Sequence, residues 1–176
     1  MHLWHDVSVG ENAPDEITVI IEIPKGSNNK YEIDKETGMI GLDRVLFGDD
    51  LFPADYGFIP QTLWEDGDAL DAYVLTTNNL FPGCVLTVRP VGIIRMIDGG
   101  EGDDKLICVP TKDIRFKDIK DLSDVPQADV QALKSFLENY KKLQNIKVEI
   151  TGIEDAAAAK EAVRKGMELY KEKFNK

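Results

Sequence analysis

The chain has 176 residues, 43% of them hydrophobic and 30% charged, the composition of an ordinary globular protein long enough to bury a core. Its formal net charge of -11 repels phosphate backbones and anionic lipids, which argues against nucleic acid and membrane as partners. An anionic small substrate would need local lysines, arginines or metal ions.

Met1 to Asp6 has neither a basic nor an apolar signal-peptide region, and no apolar run approaches the roughly 18 residues of a membrane span. Residues 17–23 are β-rich and stop at Pro24. Ile17, Val19, Ile21 and Ile23 share one face, and Glu22 falls on the other beside Thr18 and Ile20. Residues 30–33 and 39–45 read as two strands joined by the turn Asp34-Lys35-Glu36-Thr37-Gly38, a hairpin with Lys30 and Glu32 on one face. A long β pattern over 82–98 meets residues 105–109 across a Gly-rich acidic loop. Cys84 and Cys108 lie in apolar runs and read as buried free thiols of a reducing cytoplasm, not as a disulfide. Strands this dense in a small chain suggest a compact barrel or curled sheet.

The last third changes period. Val130, Leu133, Leu137 and Tyr140 recur at helical spacing with Phe136 alongside. Pro126 stands at the helix start, with Ser123 and Asp124 as candidate caps. A short β run over 146–151 precedes a final helix. Asp155 is its N-cap, and Val163, Met167, Tyr170 and Phe174 form its stripe. Glu161 and Lys165 are expected to pair on its outer side. No linker or repeat divides the chain, so residues 1–176 read as a single domain.

G-x-x-x-x-G-K-[ST], G-x-S-x-G and H-E-x-x-H are all missing, and the only histidines are His2 and His5. Ser-His or Cys-His nucleophiles and a His/Cys zinc site are therefore hard to build. The chemistry falls to Asp, Glu, Lys, Arg and Tyr. Two acidic clusters stand out, Glu65-Asp66-Gly67-Asp68-Ala69-Leu70-Asp71 and Asp98-Gly99-Gly100-Glu101-Gly102-Asp103-Asp104-Lys105. Each alone reads first as a solvated acidic turn. Together they suggest a cation site, because carboxylates ~4 Å apart repel by about 4 kcal/mol at an effective dielectric of about 20. The calcium-loop template fails. Counting from Asp66, Leu70 stands fifth, Asp71 replaces the sixth-position Gly and Thr77 the twelfth-position Glu. Magnesium binds few carboxylates and takes substrate phosphates as further ligands. Lys30, Arg44, Lys105, Lys141 and Tyr56 are candidates to hold those phosphates.

Ile21-Glu22-Ile23-Pro24, Lys30-Tyr31-Glu32-Ile33-Asp34, Leu42-Asp43-Arg44, Pro53-Ala54-Asp55-Tyr56-Gly57, the Asp66-to-Asp71 cluster, Arg89-Pro90-Val91-Gly92, Met96-Ile97-Asp98 and Tyr140-Lys141 occur in order. In these residues the chain resembles the soluble family I inorganic pyrophosphatases of bacteria and archaea, from about Ile17 to the C-terminus. The resemblance implies an α+β, mainly β fold: an OB-like five-stranded closed barrel with two main helices in the C-terminal half. It implies a cytoplasmic homohexamer that hydrolyses pyrophosphate with several Mg2+ ions, with Mn2+ or other divalent ions as substitutes. Carried over by motif, Asp66, Asp71 and Asp103 are metal ligands, Asp98 joins Asp103 at a further ion, and Glu22 serves an outer position. Asp68 takes the proton from the attacking water. Lys30, Arg44, Tyr56, Lys105, Tyr140 and Lys141 hold phosphates, and Glu32 supports them.

Two positions depart from the family pattern. Phe52 stands where many members have Tyr, and residues 145–152 lack the Trp often found there. Hydrolysis of a nucleotide or short polyphosphate is a second reading, without an adenine-binding element to support it. A non-catalytic OB-type nucleic-acid module is a third, and the acidic balance opposes it.

Overall fold

The computed structural model describes residues 1–174. Among the described residues there are nine strands and three α-helices, and five of the strands close into a ring. A single-turn helix α1 (Leu3–Asp6) precedes β1 (Ile17–Ile23), the hairpin β2 (Asn29–Ile33) and β3 (Ile40–Val45), β4 (Asp55–Phe58) and β5 (Asp71–Val74). The long β6 (Val85–Asp98), the two-residue β7 (Glu101–Gly102) and β8 (Lys105–Pro110) follow. The chain ends with α2 (Gln127–Asn139), β9 (Val148–Glu154) and α3 (Ala156–Phe174).

The ring runs β1-β4-β5-β8-β6 and closes because β6 also pairs with β1, Ile17 opposite Val88 and Ile20 opposite Val85. This is the OB-like closed sheet expected, with no free edge between its first and last strands. All pairs in the ring are antiparallel except β5 with β8, where Asp71 lies opposite Lys105. β6 can serve β1 at its start and both β8 and β9 further on because it is 14 residues long and its register against β8 shifts between Pro90 and Gly92. Proline lacks the N–H that regular pairing would need, so the irregularity falls there. Gly57 is required where β4 crosses β1. A Cβ there would run into the backbone carbonyl of Ile20.

β1 is buried on both sides, so its strict in/out alternation does not survive. Ile17, Val19 and Ile21 pack in one cluster with Leu106 and Val163, whereas Ile20 packs with Phe58, Trp4 and Tyr170. α2 covers the other side of the ring through Val130, Leu133, Phe136 and Leu137, the stripe read from its spacing. α3 lies on its Val163 and Tyr170 stripe, but Ala159, Ala162 and Gly166 form its closest-packed face.

Several local expectations need correction. Asp124 caps no α-helix: with Asp121 it forms a capping box on the 3-10 turn Leu122–Asp124, and α2 starts at Pro126 with no side-chain cap. Asp155 does cap α3, accepting from the Ala158 N–H at 3.0 Å. Glu161 pairs with Arg164 one turn on, because Lys165 reaches away to Glu65 and across the Trp64 ring. Cys84 and Cys108 are both free, Cys108 buried and Cys84 only partly so. The short strand near 146–151 extends from Val148 to Glu154 and borders β6. Among the described residues, no helix is long and apolar enough to cross a membrane.

Candidate active site

The acidic cluster at residues 65–71 is a tight turn between β4 and β5. Trp64 N–H donates to the Asp68 carbonyl at 2.7 Å, and Gly67 adopts φ +85°, where a Cβ would be strained. Asp68 N–H donates to Asp66 Oδ1 at 3.0 Å, an Asx-type contact that holds the Asp66 carboxylate against the turn. Asp71 then opens β5. The second acidic loop is set by the short β6–β7 pairing, with Asp98 opposite Glu101, and by Lys105 opening β8. Parallel pairing of β5 with β8 therefore brings the ends of the two loops side by side.

Between them, Lys105 Nζ donates to Asp71 Oδ2 and to Asp103 Oδ1, each at 2.6 Å. Tyr56, on β4, donates its hydroxyl to the same Asp71 oxygen at 2.5 Å. Lys105 is only 4% exposed. Burial disfavours its charge, but the Asp71 carboxylate, with Tyr56 and Asp103, outweighs this and holds its pKa well above the ordinary lysine value. Lys141, just past α2, ion-pairs with Asp98 in the same way. Lys30 pairs with Glu32 and Asp43, and burial lowers its pKa.

Eleven of the thirteen side chains singled out from the sequence line one open cleft. Asp66, Asp68, Asp71, Asp98 and Asp103 form its acidic wall. Lys30, Glu32, Tyr56, Lys105, Tyr140 and Lys141 surround them. Glu22 lines an adjoining recess that shares Lys30, Tyr56, Asp68 and Asp71 with the cleft. Arg44 is not brought to the cleft wall: its guanidinium is turned to Asp43 at 2.5 Å on the hairpin. Three residues without an assigned role also belong here. Glu101 lines the cleft, Trp4 walls the recess, and Lys35 on the hairpin turn ion-pairs with Asp68. Glu101 was legible within the acidic cluster, but nothing in the spacing of Trp4 or Lys35 announces them.

As they stand, no three carboxylates among the described residues converge as a metal cluster. The ammonium of Lys105 stands between two of them. The donor set nonetheless suits a hard cation. Burial, reinforced by the charges of Asp71 and Asp103, pushes Asp66 up to about 7, and burial with Asp71 pushes Glu22 up to about 8. These are carboxylate oxygens whose ionised form the nearby lysines compensate only in part, and a divalent ion would supply the remaining charge.

A family model described as inorganic pyrophosphatase matches residues 19–171. The chain is 47% identical over 175 residues to an inorganic pyrophosphatase of Haloferax volcanii, covering 99% of each chain. It is 43% identical over 169 residues to a soluble inorganic pyrophosphatase of Oryza sativa, covering 96% of this chain and 79% of that one. Its fold is similar to the crystal structure of the inorganic pyrophosphatase from Thermus thermophilus, with a TM-score of 0.93 and 46% identity over 97% and 99% of the two chains. With the cleft, the fold and these relatives in agreement, the chain belongs to the inorganic pyrophosphatase family.

Proposed function

We propose that this chain hydrolyses inorganic pyrophosphate to two orthophosphates in a magnesium-dependent reaction. One observation carries the reading: five aspartates and a ring of lysine and tyrosine donors, drawn from six separate parts of the chain, meet in one cleft. Asp66, Asp71 and Asp103 would hold the principal ions, Asp98 a further one with Asp103, and Glu22 an outer position. When bound, magnesium neutralises phosphate charge and lowers the pKa of the attacking water. Lys30, Lys105 and Lys141 place ammonium groups against the phosphate oxygens, and Tyr56 and Tyr140 donate hydroxyls. Arg44 would complete this set by turning from Asp43 toward the substrate. Glu32 orients Lys30 through their ion pair.

Asp68 lies on the cleft wall and is half-exposed, which supports reading it as the group that would meet the attacking water. In the proposed step, water oxygen forms a bond to one phosphorus as the bridging P–O bond breaks. Asp68 takes the water proton, and the leaving phosphate keeps the bridging electron pair. Little beyond positioning and charge stabilisation is needed for such a transfer.

The reading extends to one catalytic domain spanning residues 1–176, a cytoplasmic setting, and a homohexamer. Exposed Leu42, Val45 and Phe47 on the hairpin side support association between copies. Light scattering of the purified chain measures the assembly. For the chemistry, phosphate release from pyrophosphate is measured with magnesium and with chelator. Asp68→Asn is expected to lower turnover by about 10²–10⁴-fold, the usual contribution of a positioned base, while magnesium binding by calorimetry is retained. Turnover near that of the wild type in this variant would remove Asp68 from the role.

A further inference from the structure

Beside the cleft lies a small cavity bounded by Lys30, Phe52, Tyr56, Tyr73, Lys105 and Tyr140. It has room for about one water molecule. Lys30, Tyr56, Lys105 and Tyr140 are already assigned to the phosphate site. Tyr73 is not. It is fully buried on β5, two residues beyond Asp71 and hence on the same face of the strand. Its ring lies 5.0 Å from that of Tyr56, and it is within electrostatic reach of Tyr140, Lys105, Asp71 and Asp103. Among the described residues its hydroxyl enters no hydrogen bond with a protein group.

Buried hydroxyls find partners, because a lost hydrogen bond in the interior is costly. A phenylalanine would fill the same strand position without that requirement, as Phe52 does across the cavity, packed on Tyr56 and Phe136. The partner of Tyr73 must then come from the cavity itself. We infer that Tyr73 is a positioning residue of the phosphate site, its hydroxyl holding a buried water that fixes the Lys105 ammonium and the Tyr140 hydroxyl for phosphate. The inference rests on the reading of the cleft as a pyrophosphate site. The water has enough partners, since Tyr73, Tyr140, Tyr56 and Lys105 all border the space. Its effect falls on groups that hold phosphate before and during the reaction alike, so it acts on KM more than on kcat.

The test is Tyr73→Phe, which keeps the ring and its packing. KM for pyrophosphate should rise about tenfold, as for one lost hydrogen bond to a charged group, with kcat and the melting midpoint nearly unchanged. Adding Phe52→Tyr to Tyr73→Phe returns a hydroxyl to the same cavity and should recover most of the KM. An unchanged KM in Tyr73→Phe overturns the inference, as does a KM rise that follows a fall in melting midpoint. Calorimetry with inorganic phosphate separates this from the parent reading. A wild type that cleaves no pyrophosphate refutes the substrate, whereas equal phosphate affinity in wild type and Tyr73→Phe refutes the role of Tyr73.

Discussion

Replacing Glu22 by glutamine in the metal-free protein measures how strongly burial and charge oppose each other in the recess. The Glu22 carboxyl is 4% exposed and accepts the Ile33 N–H at 2.7 Å. Burial first, and the Asp71 charge second, push it from 4.5 up to about 8. Between those values the folded chain keeps a proton that the unfolded chain has released. A group raised in this way stabilises the fold fully below its unfolded pKa, and the contribution is lost as pH climbs through the folded one. In chelator, wild-type stability therefore falls across the pH 4.5–8 window by up to about 1.4 kcal/mol per pH unit from this group, on the order of 5 kcal/mol in all. Glutamine keeps an oxygen for Ile33 and has no charge to bury. Urea unfolding of both proteins in EDTA at several pH values within that window gives the difference directly, and other titrating groups largely cancel in it. Glu22→Gln should gain on the wild type with every step upward in pH. Parallel stability profiles would refute the argument.

Lys105→Met leaves Asp71 and Asp103 facing each other without their shared ammonium. It should destabilise the metal-free protein by about 3–5 kcal/mol, a fall in melting midpoint of about 6–20 °C, with magnesium restoring part of it. An unchanged midpoint in chelator would contradict the ion-pair geometry. Asp55→Ala strands three donors, the N–H groups of Lys25 and Leu80 and the Thr76 hydroxyl, and should cost about 3 kcal/mol or more in urea unfolding. Asp155→Ala removes the cap on α3 and should cost about 1 kcal/mol, read as a midpoint about 2–4 °C lower with turnover unchanged.

The sequence makes the fold legible wherever one residue type has one local use. β1 stops at Pro24, the hairpin turns at Asp34 to Gly38, and Asp155 starts α3, as their turn and cap chemistry demand. What escaped was tertiary. β4 and β5 are four-residue strands buried along nearly their whole length, and runs so short show no period. Asp55 sits in the Tyr56 motif yet serves the backbone of other segments, which no local pattern encodes. The acidic loops stood out because like charges crowd there, and the family resemblance separated their members into roles. Lys35 and Trp4 reach the site only through packing of the hairpin and the N-terminal turn. Arg44 shows the converse: its motif is in place, but its guanidinium rests on Asp43.

The parallel pairing of β5 with β8 has a consequence for how activity arises. Asp71 and Lys105 are 34 residues apart in sequence and meet only when that pairing is in register. A slip by one residue would set Ala72 or Leu106 at the cleft and turn the charged pair into the apolar interior. Neither acidic loop is thus a site alone, and no local element can rehearse the cleft before the ring has closed. Contacts this distant form slowly compared with helices and hairpins. During refolding, recovery of pyrophosphate hydrolysis therefore marks closure of the ring, not the first return of secondary structure.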